Sequence, residues 1–79
     1  MYLVGNVLKQ TNDLILKSKD DFFVTPVNTL WTITEIYAEH RYYMEELNRE
    51  ILGSGYGIIA DKDFIENNFE LNKDGCYEN

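Results

Sequence analysis

From Pro26 onward, apolar residues return at steps of three and four: Leu30, Ile33, Tyr37, His40, Met44, Leu47 and Ile51. This is the spacing of a heptad seam, with Ile36 and Tyr43 widening the stripe. No Gly or Pro interrupts the run between Pro26 and Gly53. The pattern predicts one long amphipathic helix from about Pro26 to Leu52. Thr25 is its expected N-cap, Pro26 its first residue and Gly53 its stop. Such a helix would be about 40 Å long. Arg41, Glu45 and Arg49 would form a ladder of opposite charges along it.

The flanking segments extend this picture. Val4, Val7, Leu8, Thr11, Leu14 and Ile15 form a second stripe, which predicts a helix from Tyr2 to about Ser18; a strand at Tyr2–Val4 is the competing reading. Phe22-Phe23-Val24 reads as a short, partly extended turn that drops two side chains into the core. Gly53-Ser54-Gly55-Tyr56-Gly57 reads as a flexible hinge. Ile58-Ile59-Ala60 is either a strand remnant or a core anchor. Asp61 is the expected N-cap of a last helix, from about Lys62 to Leu71, with Phe64, Ile65 and Phe69 on its apolar face. The resulting expectation is an all-α fold. It is a small bundle of about three helices around one long central helix, with short extended segments compatible near 22–24 and 58–60. Residues 1–71 would form a single helical domain and 72–79 a polar, disordered tail.

Composition narrows the chemistry. The chain has 79 residues, and its core is correspondingly thin. Its single cysteine, Cys76, cannot form an internal disulfide and suits a reducing compartment. No apolar run reaches the length of a membrane span, and no signal segment is visible at Met1–Val4. A cytoplasmic location is expected. The net charge is −7 and is unevenly spread. Residues 1–21 are neutral, residues 35–50 carry −3 and residues 61–79 carry −4. Direct binding to nucleic acid or an anionic membrane is disfavoured, and a basic protein surface is favoured.

Motifs for catalysis do not assemble. Gly53-x-Gly55-x-Gly57 lacks the spacing, the following Lys and the preceding strand of a phosphate loop. Glu70-x-Asn72-x-Asp74-Gly75 opens like a calcium loop, but the position of its bidentate Glu lies beyond Asn79. His40 falls on the apolar seam without an orienting partner, and Cys76 has no basic neighbour to activate it. No enzyme activity, cofactor or metal is expected.

Two sets of residues remain as candidates for contact with a partner. Glu35, Glu39, Glu45 and Glu46 would lie opposite the seam, with Glu66, Glu70 and Asp74 extending them. Carboxylates about 6 Å apart along a helix approach the spacing of phosphates on a nucleic-acid strand. Trp31, Tyr42 and Tyr43 form the second set, as aromatic anchors beside the seam. In size, acidity and lack of catalytic residues the chain resembles, in type, the small inhibitor proteins that bacteriophages make against host defence or repair enzymes. That resemblance implies a viral protein acting in the host cytoplasm. The expected function is that of a small acidic protein-binding module, an inhibitor or adaptor that occludes a basic or nucleic-acid-binding surface. The alternative is a structural protein, such as a homodimer, assembled through the long helix.

Overall fold

The computed structural model describes residues 2–17, 20–53 and 55–72. It replaces the expected helical bundle with a β-fold. Among the described residues there are seven strands and one short helix. The strands are β1 (Val7–Gln10), β2 (Leu14–Lys17), β3 (Phe22–Thr25), β4 (Leu30–Ile36), β5 (Arg41–Glu46), β6 (Gly57–Asp61) and β7 (Phe69–Leu71); the helix is α1 (Lys62–Asn68). Five strands form an antiparallel sheet in the order β6-β5-β4-β1-β7, and β2 and β3 form a separate two-stranded hairpin.

The long helix predicted over Pro26–Leu52 is in fact β4, a tight turn and β5. Alternation decides it. Trp31 and Ile33 are buried while Thr32 and Thr34 are half-exposed, and on β5 Tyr42, Met44 and Glu46 are buried while Arg41, Tyr43 and Glu45 face outward. The segment Thr29-Leu30-Trp31-Thr32-Ile33-Thr34 is rich in β-branched and aromatic residues, which suit a pleated, half-buried surface. Thr25 is not a helix cap either. It ends β3, is fully buried, and its hydroxyl has no hydrogen-bond partner among the described residues. His40, expected on an apolar seam, lies exposed in the β4–β5 turn with φ 107°. The helix predicted over Tyr2–Ser18 gives way to β1 and β2 where the chain is described. The last helix does form, with Asp61 as its N-cap accepting from the Phe64 amide at 2.9 Å, but it stops at Asn68 and the chain continues as β7.

The sheet is strongly curled. β6 and β7 are its two outer strands, and flat pairing would set them about 19 Å apart. They are joined by α1 alone, with no linker residues on either side. Seven helical residues rise only about 10 Å. The edges must therefore bend toward each other, which wraps the sheet around one core. Leu8, Trp31, Ile33, Tyr42, Met44, Ala60, Ile65 and Phe69 fill it. The Trp31 and Phe69 rings meet edge to face at 6.2 Å.

A two-stranded hairpin is marginal alone in water. β2–β3 is held because one of its faces, Leu14, Leu16 and Phe23, packs against the core. Polar ties fix its base. The Gln10 side chain is fully buried and donates to the carbonyls of Asn12 (2.8 Å) and Thr25 (3.0 Å), while accepting from the Trp31 indole at 2.8 Å. Asp13 accepts from the Val27 amide at 2.7 Å, and Asn12 reaches Asn67 and Asn68 at the end of α1. No helix among the described residues is long and apolar enough to cross a membrane.

Candidate interaction surface

Alternation along the hairpin creates two apolar faces, of which the core uses one. The other presents Ile15, Phe22 and Val24, which are 71%, 67% and 62% exposed. Ile15 lies opposite Val24, and Lys17 opposite Phe22. The Lys17 ammonium sits 5.9 Å from the centre of the Phe22 ring, within reach of a cation–π contact. A half-buried hairpin normally carries polar residues on its solvent side. Here that side is a contiguous apolar patch, the kind of surface that marks a protein contact.

Beside the hairpin runs an open groove of about 590 Å³, floored by Leu16, Ile58, Ala60 and Phe64 and bordered by Lys17 and Tyr43. Gly57 is required at its rim. A side-chain carbon there would collide with the Met44 carbonyl and lie 2.8 Å from Cζ of Tyr43, so the tyrosine ring covers the bare backbone. The Tyr43 hydroxyl is pushed above the ordinary tyrosine range, first by burial, then by the Glu45 carboxylate beside it, with Glu35 adding to the effect. Tyr37, next to Tyr43, is raised chiefly by its hydrogen bond with Glu35.

The residues singled out in the sequence are scattered by this fold. Trp31 and Tyr42 are core residues, buried and unable to anchor a partner; Tyr42 instead meets Tyr2 edge to face at 5.5 Å. Tyr43 does face outward. Glu46 is buried, and its carboxylate accepts from the amides of Glu50 (3.2 Å), Ile51 (2.9 Å) and Leu52 (2.9 Å), pinning the loop after β5. Glu39 sits in the β4–β5 turn, 3.7 Å from His40. Glu66 pairs loosely with Lys62, and Glu70 with Lys9 on the neighbouring strand. Only Glu35 and Glu45 come together, on the outer face around Tyr43. The regular carboxylate ladder that argued for nucleic-acid mimicry depended on a helix and is not formed. Asp74 and Cys76 lie outside the described residues.

Ile15, Phe22 and Val24 are not among the contact residues expected from the sequence, whose pattern puts Ile15 in a helical core stripe and the aromatic run in a turn. The signal that finds them is that Leu14–Leu16 and Phe22–Val24 are each apolar without a break, one face more than a half-buried strand needs. Comparison with protein-family models, curated proteins and solved structures finds no match for this chain.

Proposed function

We propose that the protein is a protein-binding module that docks a partner on the outer face of the β2–β3 hairpin. The observation that carries this reading is the exposed trio Ile15, Phe22 and Val24 on a hairpin whose opposite face is already packed. The excess acidity of residues 35–50 and 61–79 favours a partner with basic surroundings. The single cysteine supports a cytoplasmic setting. Val24→Asp and Phe22→Ser alter exposed side chains and should leave stability within about 0.5 kcal/mol of the native chain. Both variants should lose the partner that the native protein captures from cell lysate. If Val24→Asp captures the same proteins as the native chain, the hairpin face is not the docking surface.

A second copy is the second reading for this face. Residues 1–21 carry no net charge within a chain of −7, so two hairpins can approach without the repulsion that the other surfaces impose. Sedimentation of the native chain and of Val24→Asp separates the two readings. A dimer that Val24→Asp converts to monomer assigns the face to self-association.

A further inference from the structure

The sheet has an open edge at β6. Tyr37 N–H donates to the Arg41 carbonyl (2.9 Å), Arg41 N–H to that of Ala38 (3.2 Å), and Leu47 N–H to that of Leu30 (2.8 Å). The backbone groups of Arg41, Tyr43, Glu45 and Leu47 therefore face β4. By the two-residue period of an antiparallel ladder, those of Tyr42 and Met44 face β6, where their partners are Ala60 and Ile58. Gly57, Ile59 and Asp61 accordingly turn their N–H groups, and Gly57 and Ile59 their carbonyls, away from the sheet along the groove that separates β6 from β2.

Such edges are usually guarded by Lys, Pro, a bulge or an inward charge. The strand Gly57-Ile58-Ile59-Ala60-Asp61 has none of these before its last residue, whose carboxylate is occupied in capping α1. We propose that β6 accepts an extended segment of a partner protein as an added strand, with apolar side chains on its inner face and basic ones on its outer face. The inner side chains of an added strand would lie over Leu16, Ile58, Ala60 and Phe64. An outer residue opposite Gly57 meets no side chain from that position. It crosses the Tyr43 ring toward Glu45, which lies opposite Gly57 on β5, with Glu35 beyond on β4. A Lys or Arg there gains the ring face and the carboxylate together. Glu45 is held by a loose pair with Arg49, at 3.9 Å, which a ligand cation can share. Lys17, on the opposite wall of the groove, is turned onto Phe22. A second copy is a poor occupant, because it would bring another chain of −7 against Glu45, Asp61 and Asp63.

This site is separate from the hairpin face and stands independently of it. The test uses the isotope-labelled full chain and a short synthetic peptide of alternating Lys and Val, read by amide exchange and chemical shift. The amides of Ile59 and Asp61 should gain protection of about tenfold or more when the peptide binds. N-methylating the peptide amides that face β6 should weaken binding by about tenfold, since main-chain hydrogen bonds carry it. Replacing Lys by Glu in the peptide should abolish binding, and Glu45→Gln in the protein should weaken it severalfold. Val24→Ser, which lies opposite Ile15 and does not touch Lys17, should leave peptide affinity unchanged, which separates failure of this site from failure of the hairpin reading. Equal affinity for the N-methylated peptide, or shifts confined to Ile15, Phe22 and Val24, would overturn the proposal. A peptide-free dimer with protected Ile59 would overturn the assigned occupant.

Discussion

Gln10→Leu probes how the hairpin is locked to the sheet. The two side chains have similar volume, so packing is nearly conserved and the hydrogen bonds are what change. Gln10 makes three: two donated to the carbonyls of Asn12 and Thr25, and one accepted from the Trp31 indole. Asn12 is exposed, so water can replace its partner. Thr25 and Trp31 are fully buried. An orphaned buried donor or acceptor costs about 1–3 kcal/mol. Two of them, less about 1 kcal/mol returned by the more apolar side chain, give a net loss of about 3 kcal/mol. For a domain near the low end of the usual range, about 5 kcal/mol, that is more than half of its stability. In urea, with an m value of about 1 kcal/mol/M, the midpoint should fall by about 3 M. Trp31 fluorescence reports the transition, and hydrogen exchange should show β2–β3 loosening before the five-stranded sheet does. A Gln10→Leu protein within about 0.5 kcal/mol of the native chain would refute the account, because the buried network would then contribute nothing net.

Glu46→Ala should cost about 2–4 kcal/mol in the same assay, since it strips three backbone amides of a charged acceptor. Thr25→Val should be neutral or stabilise by up to about 1 kcal/mol, because the lost hydroxyl is buried and has no partner among the described residues; a loss of that size would instead be the signature of an N-cap. Tyr2, Tyr37 and Tyr43 are all raised above the ordinary tyrosine value in the folded protein, so folding favours their neutral forms. The resulting stability is complete below about pH 10 and is lost as pH rises through the folded values. Tyrosinate absorbance should show late-ionising residues in the native chain, and Glu45→Gln should bring Tyr43 down toward the ordinary range.

Over Leu30–Ile51 the apolar spacing imitates a helix for a physical reason. Steps of three and four, taken over twenty residues, select positions that a pair of strands also supplies. What should separate the two is a turn signal in the middle, and here the turn is chemically silent. The bend around Ala38-Glu39-His40 places His40 at φ 107° where Gly or Asn would announce a hairpin. Asn28 and Arg49 also take positive φ, and neither stands out in the sequence as a break. Punctuation at Asp61 has the expected meaning, whereas Thr25-Pro26 and Gly53 do not start and stop a helix. Asp61 caps a helix, and positive φ at Gly53 and Gly55 places both in the loop before β6. The termination of α1 at Asn68 was hidden because Phe69 and Leu71 continue its apolar spacing while serving a strand. Of the expected contact residues, Glu35, Tyr43 and Glu45 share one outer face. The burial of Trp31 and Glu46 depends on strand partners far away in the chain.

The pairing of β1 with both β4 and β7 has a consequence for how the protein is made. Leu8 sits between Trp31 and Leu71, so β1 finds its second neighbour only in β7. A chain emerging from its N-terminal end must hold one flank of β1 open until Phe69–Leu71 have been synthesised, with Leu8 and Trp31 only partly covered. Sheet closure is then a late, long-range event, slow by the entropy of the loop it closes. Over that interval the nascent protein presents unsatisfied strand edges together with the apolar hairpin, which makes it vulnerable to aggregation until β7 has been made.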